Sequence, residues 1–276
     1  MTDLNNASLS FIGSGVMAEA MIKALVTQGL VEPGRITASG PRPERGQELA
    51  TRYGIRTTTH NREAAQGAQI LVLSVKPQTL SPVLKELQGS IREEALLLSI
   101  VAGASTGLIS RSLGHAAVVR CMPNTPAQVG KGMTVWTATS RVSAAQREQA
   151  GTILRAFGEE HYTEEEGQLD MATALSGTGP TYVFLFMEAL VDAGVHLGFS
   201  RRVAQQLVLQ TVEGAVSLAR QSSLHPAQLR DMVTSPGGTS AEAIYQLEKG
   251  GLRTVLSKAV WAAYQKSKYL GELAEK

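Results

Sequence analysis

The sequence Leu9-Ser-Phe-Ile-Gly13-Ser-Gly15-Val-Met-Ala18, near the start of a chain of 276 residues, is the strongest indication of its fold. A short strand-like run leads into two glycines and then into a helical pattern. In a turn of this kind Gly13 permits the tight reversal, and Gly15 lets the backbone approach a pyrophosphate. The small side chain of Ala18 allows the helix to pack against the strand. We therefore predict a dinucleotide site here, with the phosphates at the start of the helix.

Outward from this turn, the first half of the chain alternates strand-like and helix-like segments. Strands are predicted at 9–12, 35–39, 70–74, 96–100 and 118–121, with a further pair near 134–138 and 160–163. Helices are predicted at 16–29, 43–53, 79–88, 105–113 and 143–157. Alternation of this kind is typical of a parallel sheet covered by helices on both faces.

The second half of the chain has almost no strand signals after residue 166. Helices are predicted at 167–174, 180–197, 201–220, 226–233, 240–249 and 252–273. The 180–197 pattern is apolar on nearly every side, which predicts burial in a core or against a second subunit. We therefore predict an α/β fold with an N-terminal Rossmann-type dinucleotide-binding domain at 1–163, followed by an all-α domain at 164–276.

Composition excludes several classes of protein. The net charge of +2 is too small to suggest a partner nucleic acid or membrane surface. The one cysteine, Cys121, cannot form an intrachain disulfide, and the five histidines lack metal-ligand spacing. No secretion signal is recognisable, and the apolar runs are far shorter than the roughly 18–20 residues that span a bilayer. We expect a soluble, cytoplasmic protein without metal.

The end of the second predicted strand bears on which dinucleotide binds. NAD-selective domains carry Asp or Glu there, but this chain has Ser39-Gly-Pro-Arg42, with Arg45 nearby. A hydroxyl at Ser39 and a guanidinium at Arg42 suit a 2′-phosphate better than a bare ribose diol. The alternative is that these arginines only belong to a solvated loop. We expect NADPH as the cofactor, with NADH possible.

Other polar segments follow predicted strands and so belong to the carboxyl edge of the sheet, where such folds place ligands. They are His60-Asn61, Ser74-Val-Lys76-Pro77 and Ile100-Val-Ala102-Gly103. Lys76 precedes a proline, which holds it extended. Ordinary loop or cap roles remain open for all three segments, and Asn61 suits a helix N-cap.

A second informative segment is 233–242, Val-Thr-Ser-Pro-Gly-Gly-Thr-Ser-Ala-Glu. Thr239 and Glu242 have the spacing of a capping box, which predicts the start of a helix. The preceding glycines leave the N–H groups of the first turn uncovered. With the hydroxyls of Ser235, Thr239 and Ser240 beside it, such a helix start suits a carboxylate. Capping alone is the alternative, but it would not require Ser-Pro-Gly-Gly.

Taken together, five segments resemble the pyrroline-5-carboxylate reductase family, in that family's order and across nearly the whole chain. They are 13–17, 74–77, 120–126, 176–180 and 235–240. The resemblance implies an NAD(P)H-dependent oxidoreductase that reduces the C=N bond of 1-pyrroline-5-carboxylate to L-proline, in proline biosynthesis. It also implies a helical domain that forms a homodimer, dimers often gathered into a decamer, and a substrate loop contributed by the partner chain.

The resemblance also implies roles for single residues. It places the dinucleotide at Gly13, Ser14, Gly15, Val16, Met17, Asn61, Val75, Lys76, Pro77 and Ala102. It places the substrate carboxylate and ring nitrogen at Ser235, Gly238, Thr239 and Ser240, with Glu166 nearby. The family commonly has Ser, Ala and Thr where this chain has Thr178, Thr181 and Ser240, and none of these departures removes a needed functional group.

Hydride adds readily to an imine carbon only when the nitrogen is protonated or strongly hydrogen-bonded. We therefore predict that the Ser240 hydroxyl contacts the ring nitrogen as the catalytic residue. Whether the proton comes from Ser240 or from solvent, with the substrate bound as the iminium, stays open.

Three other hypotheses explain part of the sequence. A β-hydroxyacid dehydrogenase shares the glycine turn, but its catalytic lysine is missing, since no lysine occurs from 181 to 199. The Tyr-x-x-x-Lys spacing of a short-chain dehydrogenase recurs at 245–249 and 264–268, yet the glycine motif is of another type. An NADPH-binding sensor without turnover is the third, although both glycine segments are intact.

Overall fold

The computed structural model describes residue 4 and residues 6–274, with only the backbone of Ala274. The chain divides into two compact units. One comprises Met1–Thr178 together with Ala263–Lys276, and the other comprises Gly179–Ala262. The predicted domain boundary near residue 163 lies just after the last strand. That the dinucleotide-binding domain ends there stays a prediction.

The first unit contains one eight-stranded sheet with the order β3-β2-β1-β4-β5-β6-β7-β8. Neighbouring strands are parallel from β3 to β6, β7 is antiparallel to β6, and β8 is parallel to β7. The strands are β1 (Leu9–Ile12), β2 (Ile36–Ser39), β3 (Arg56–Thr58), β4 (Ile70–Leu73), β5 (Leu96–Ser99), β6 (Val118–Met122), β7 (Gly132–Ala138) and β8 (Gly158–Tyr162). The strand order reverses between β1 and β4, which creates a crevice at the carboxyl edge of the sheet. The predicted α/β fold class is confirmed.

Helices cover both faces of the sheet, because the central strands carry apolar residues on both sides. The helices of this unit are α1 (Val16–Thr27), α2 (Pro43–Tyr53), α3 (Asn61–Ala65), α4 (Pro77–Leu87), α5 (Thr106–Leu113), α6 (Ala144–Arg155) and α7 (Gln168–Ala172). Phe11 and Val72 pack with α1, α2 and α6 in one core, whereas Ile12, Leu71 and Leu73 pack with α3, α4 and α5 in the other.

Three local predictions differ from the structure. Strand β3 and helix α3 were not predicted, because β3 has three residues and α3 has five, too few to show a period. Helix α4 begins at Pro77 rather than at residue 79, because proline needs no hydrogen-bond acceptor at the first helical position. Asn61 is not an N-cap: His60 occupies that position and Asn61 is the first residue of α3.

The segment 176–180, between two of the predicted helices, does not form a loop. Residues Thr173–Gly177 form one π-helical turn directly after α7, in which the Thr178 amide donates to the Thr173 carbonyl at 2.8 Å. Helix α8 follows at Gly179, with Pro180 in its first turn. The chain therefore stays helical through this segment, with a π-type bulge that widens one turn.

The second unit is helical in all its regular elements among the described residues. It contains α8 (Gly179–His196), α9 (Arg201–Gln221), α10 (Pro226–Met232), α11 (Thr239–Lys249) and the first part of α12 (Leu252–Ala274). No residue of α8 is buried in the described chain, and Phe184 and Leu185 are 61% and 65% exposed. The predicted burial of this helix in a core is therefore wrong for the single chain, which leaves the alternative of a second subunit.

Three observations concern properties expected from composition. None of the helices in the described part of the chain is both long and apolar enough to cross a membrane. Among the same residues, no group of three or more His, Cys, Asp or Glu is placed to hold a metal ion. Burial raises the pKa of the Cys121 thiol to about 12, although the charge of Arg120 acts in the opposite direction. The thiol therefore stays protonated and unreactive near neutral pH.

Candidate functional site

The predicted dinucleotide residues follow five adjacent strands, β3, β2, β1, β4 and β5. These strands are parallel, so the segments that follow them all lie at the carboxyl edge of the sheet. The residues concerned are Gly13, Ser14, Gly15, Val16 and Met17 after β1, Ser39 and Arg42 at β2, Asn61 after β3, Val75, Lys76 and Pro77 after β4, and Ala102 after β5. The topology thus brings them to the edge where Rossmann-type folds bind ligands.

Gly13 shapes the turn at the point where the strand order reverses. Its φ of +107° belongs to a region that side chains disfavour, and an added Cβ would lie 2.7 Å from the Ser74 carbonyl oxygen. The Gly13 amide donates to the Ser39 carbonyl at 3.0 Å, and the Ser74 hydroxyl donates to the Gly13 carbonyl at 2.7 Å. The turn is therefore held from β2 and β4 at once, and only glycine fits at residue 13.

Gly15 leaves space beside the turn. It is the N-cap of α1, with φ −77° and ψ −178°, and no side chain caps this helix. A Cβ added to Gly15 would meet no atom within 4 Å, whereas the same test at Gly13 meets backbone. The amides at the start of α1 are thus accessible to an anion and carry the positive end of the helix dipole. The residues present fit the pyrophosphate of a dinucleotide.

Most of the polar groups at the ends of β2 and β3 form hydrogen bonds with other groups of the protein. Ser39 is fully buried, and its hydroxyl donates to Asn61 Oδ1 at 2.8 Å. The Asn61 amide in turn donates to Glu86 at 2.8 Å. The Arg42 side chain is exposed and makes no hydrogen bond or ion pair with any described residue. Of the two groups predicted for a 2′-phosphate, the guanidinium is the accessible one, and the contacts of Ser39 and Asn61 with a cofactor stay predictions.

Arg45, three positions beyond Arg42, lies in a different environment. Its Nε donates to the Ser14 carbonyl at 3.2 Å, and its Nη1 pairs with Glu48 at 2.7 Å. Its Nη2 pairs with Glu19 of α1. Arg45 lies close to Arg42 in the sequence, and only the packing of α2 against α1 brings Glu19 and Ser14 to it.

The ends of β4 and β5 supply the remaining predicted contacts. Lys76 is the N-cap of α4, with φ −70° and ψ 147°, which is the extended conformation predicted from Pro77. Its side chain is exposed and makes no hydrogen bond or ion pair with any described residue. Ala102 is half-buried and precedes Gly103, whose φ is +75°. The Lys76 ammonium group thus lies at the carboxyl edge of the sheet without a partner among the described residues.

Glu166, predicted near the substrate, is held within the first unit. Its Oε1 accepts from the Thr106 amide at 2.8 Å and from Arg120 at 3.0 Å, and its Oε2 accepts from the Thr106 hydroxyl at 2.6 Å. Arg120 also pairs with Asp170 at 3.4 Å, and Ser267 of α12 donates to Asp170 at 2.8 Å. This role of Arg120 was not predicted, although a charged residue inside an apolar strand indicates a buried ion pair. The contact of Glu166 with substrate stays a prediction.

The second glycine segment starts helix α11 as predicted, but not through a capping box. Gly238 is the N-cap and Thr239 the first helical residue, so Thr239 cannot cap the helix. The Glu242 carboxylate accepts from Gln246 at 2.9 Å instead of from the N-cap amide. Gly237, with φ +68°, turns the chain into this position. The capping-box prediction is wrong, because the N-cap lies one residue earlier than predicted and has no side chain.

The consequence is a helix start without any side-chain cap. Its first-turn amides are therefore unsatisfied by protein side chains, which favours an anion at this end of α11. Ser235, Thr239 and Ser240 lie within the same segment and supply hydroxyl groups. The absence of a cap agrees better with the predicted carboxylate receptor than a capping box would.

The fold and the open glycine turn define a class: a dinucleotide-binding oxidoreductase with a helical second unit. Two family models match the chain. Residues 8–103 match the model described as NADP oxidoreductase, coenzyme F420-dependent. Residues 166–270 match the model described as pyrroline-5-carboxylate reductase dimerisation.

Individual relatives match over nearly the full length. The pyrroline-5-carboxylate reductase of Pseudomonas aeruginosa is 42% identical, over 98% of this chain and 98% of the relative. That of Escherichia coli K12 is 36% identical, over 96% and 98%. The crystal structure of Plasmodium falciparum pyrroline carboxylate reductase with NADP bound has a TM-score of 0.89 and 33% identity, over 97% and 99%. This chain belongs to the pyrroline-5-carboxylate reductase family.

Proposed function

We propose that the chain reduces the C=N bond of 1-pyrroline-5-carboxylate to L-proline with NADPH, the reaction for which its relatives are named. The observation that carries this proposal is the open glycine turn at the strand-order reversal, in a chain that matches these reductases over 98% and 96% of its length. A spectrophotometric assay of NADPH oxidation with pyrroline-5-carboxylate, and with a hydroxyacid as control substrate, tests it. Dinucleotide binding without turnover would favour the sensor hypothesis instead.

The dinucleotide is held by the backbone at the start of α1. The amides around Gly15 bind the pyrophosphate, and Gly13 keeps the turn in shape. Lys76 stands at the same edge of the sheet and adds positive charge. Bound NADPH supplies the hydride. NADPH is preferred over NADH because the Arg42 guanidinium suits the 2′-phosphate. No carboxylate at the end of β2 is available for the ribose hydroxyls of NADH.

Replacing Arg42 with alanine is expected to lower kcat/KM for NADPH by about tenfold and to leave that for NADH nearly unchanged, because a charge-assisted hydrogen bond contributes about 1.5–3 kcal/mol. Steady-state kinetics with both cofactors measure this change. Arg56→Ala is the matched control, since Arg56 is also exposed and unpaired in the described chain but starts β3, at the opposite edge of the sheet. An unchanged ratio between the cofactors in Arg42→Ala would refute the assignment.

The substrate is bound by the segment that starts α11. The first-turn amides near Gly238 anchor the carboxylate, with the hydroxyls of Ser235 and Thr239 beside them. The Ser240 hydroxyl contacts the ring nitrogen and orients the imine. The proton on the ring nitrogen comes either from Ser240 or from solvent, and in the second case the substrate binds as the iminium.

The Ser240→Ala variant is expected to lower kcat/KM for pyrroline-5-carboxylate by about tenfold or more without abolishing activity, because one hydrogen bond to a charged group is lost. The affinity for NADPH should stay at its wild-type value. Ser140→Ala, at an exposed serine of the first unit, serves as the control. Wild-type kinetics in Ser240→Ala would remove Ser240 from the mechanism.

We further propose that the second unit forms a homodimer, that dimers gather into a decamer, and that the partner chain contributes the substrate loop. The exposed apolar side chains of α8, among them Phe184 and Leu185, support the dimer. Light scattering over a range of protein concentrations measures the assembly. We also propose a cytoplasmic location, which the free, buried thiol of Cys121 supports.

A further inference from the structure

Arg45 is anchored inside the protein, although it lies beside the predicted 2′-phosphate site. Its side chain is 16% exposed. The guanidinium uses Nε for the Ser14 carbonyl, Nη1 for Glu48 and Nη2 for Glu19. Ser14 is the central residue of the glycine turn, so Arg45 connects helix α2 directly to the backbone that would face the pyrophosphate.

Glu19 is the acceptor at the centre of this network. It lies in the first turn of α1, is 18% exposed, and accepts from Arg52 at 2.6 Å and from Tyr53 at 2.9 Å besides Arg45. Burial by itself raises the pKa of Glu19, but the hydrogen bonds from Arg45 and Tyr53 outweigh it and hold the pKa below its ordinary value. The carboxylate is therefore ionised at neutral pH and remains a fixed anchor for Arg45.

The charges of the network balance. Two carboxylates, Glu19 and Glu48, face two guanidinium groups, Arg45 and Arg52. A carboxylate near the start of α1 would repel phosphates if it were unpaired. Because the network is neutral, the positive end of the α1 dipole stays available to an anion.

We propose that Arg45 is a positioning residue for the dinucleotide: it fixes the Ser14 carbonyl and so the direction of the amides of the turn, while Arg42 alone meets the 2′-phosphate. Gly40 supports the same geometry, since a Cβ there would collide with the Ser14 side chain. This inference rests on the proposed function, because it requires that the turn binds a dinucleotide.

The inference is tested by the dissociation constants of NADPH and NADH, measured by titration calorimetry on the full chain. In Arg45→Gln both constants are expected to rise by the same factor, about tenfold, because one charge-assisted hydrogen bond to the turn is lost. KM for either cofactor should rise more than kcat falls. Arg45→Lys is expected to recover little affinity, because an ammonium group cannot reproduce the fork that reaches Ser14 and Glu19 together.

Arg155→Gln is the matched control, since Arg155 also bridges two carboxylates, Glu148 and Glu160, in a network that does not include the glycine turn. Glu19→Gln provides a second variant should Arg45→Gln fail to fold, with Glu160→Gln, also 18% exposed, as its control. Glu19→Gln should weaken both cofactors equally, and the controls should weaken neither.

Three outcomes would overturn the inference. They are unchanged constants in the Arg45 variants, a loss confined to NADPH, which would make Arg45 a phosphate ligand, and an equal loss in the Arg155 control. Failure of the wild-type chain to bind either dinucleotide would instead overturn the proposed function, and with it this inference.

Discussion

A Gly15→Ala variant is expected to fold normally and to lose nearly all affinity for the dinucleotide. The backbone at Gly15 has dihedral angles that alanine adopts readily, and an added Cβ meets no protein atom within 4 Å. That space is where the pyrophosphate must approach the amides of α1. Displacing it by the width of a methyl group would break at least two charge-assisted hydrogen bonds, which corresponds to roughly a hundredfold or larger rise in Kd.

Binding and stability have to be measured on the same preparation. Titration calorimetry gives the Kd for NADPH, and the melting temperature without ligand should equal that of the wild type. Gly34→Ala is the matched control, because Gly34 also has open space around it and no left-handed backbone. Gly13→Ala would not serve, since its Cβ collides with Ser74 and disturbs the fold. Wild-type affinity in Gly15→Ala would mean that the pyrophosphate does not bind at this turn.

Replacing Arg120 with methionine is expected to cost about 2–3 kcal/mol of unfolding free energy. Arg120 is 8% exposed and is the cation between Glu166 and Asp170. Breaking a fully buried ion pair costs about 3–5 kcal/mol, and the effect here is smaller because the Glu166 and Asp170 side chains are 31% and 20% exposed. Each carboxylate also keeps a hydroxyl donor, from Thr106 and Ser267 respectively.

Urea unfolding at one fixed protein concentration measures this loss, since subunit association contributes to apparent stability. Arg155→Met is the control. Its side chain is 46% exposed, and exposed ion pairs contribute at most about 1 kcal/mol, so its stability should stay close to that of the wild type. Equal changes in unfolding free energy in the two variants would show that the burial of Arg120 does not increase the stabilisation by its ion pairs.

Most strands and helices of the first unit could be predicted because their signals are local. The glycine turn after β1 and the apolar runs of β4 and β5 depend on residues a few positions apart. Short elements such as β3, and cap positions such as Gly238, were missed or shifted, because neighbouring residues leave several start positions nearly equal in energy.

The candidate site also has features that could be predicted from local sequence and features that could not. The sequence alone predicts a dinucleotide site at residues 13–17 and an anion site at residues 235–240, because glycine spacing indicates where backbone amides are uncovered. The structure decided how the polar side chains around them are used. Ser39 and Asn61 bond to each other, and Glu166 bonds to Thr106 and Arg120, over separations of 22 to 60 residues.

Residue types and their spacing were enough to predict most elements of the first unit, the glycine turn and the family of the chain. Which of two neighbouring arginine side chains is free depends on the packing of the folded chain. Arg42 and Arg45 belong to the same short segment, yet two of the three partners of Arg45, Glu19 and Ser14, lie 26 and 31 residues away. The packing of α2 against α1 brings these partners together, and a hydrogen bond forms only where packing places donor and acceptor in contact.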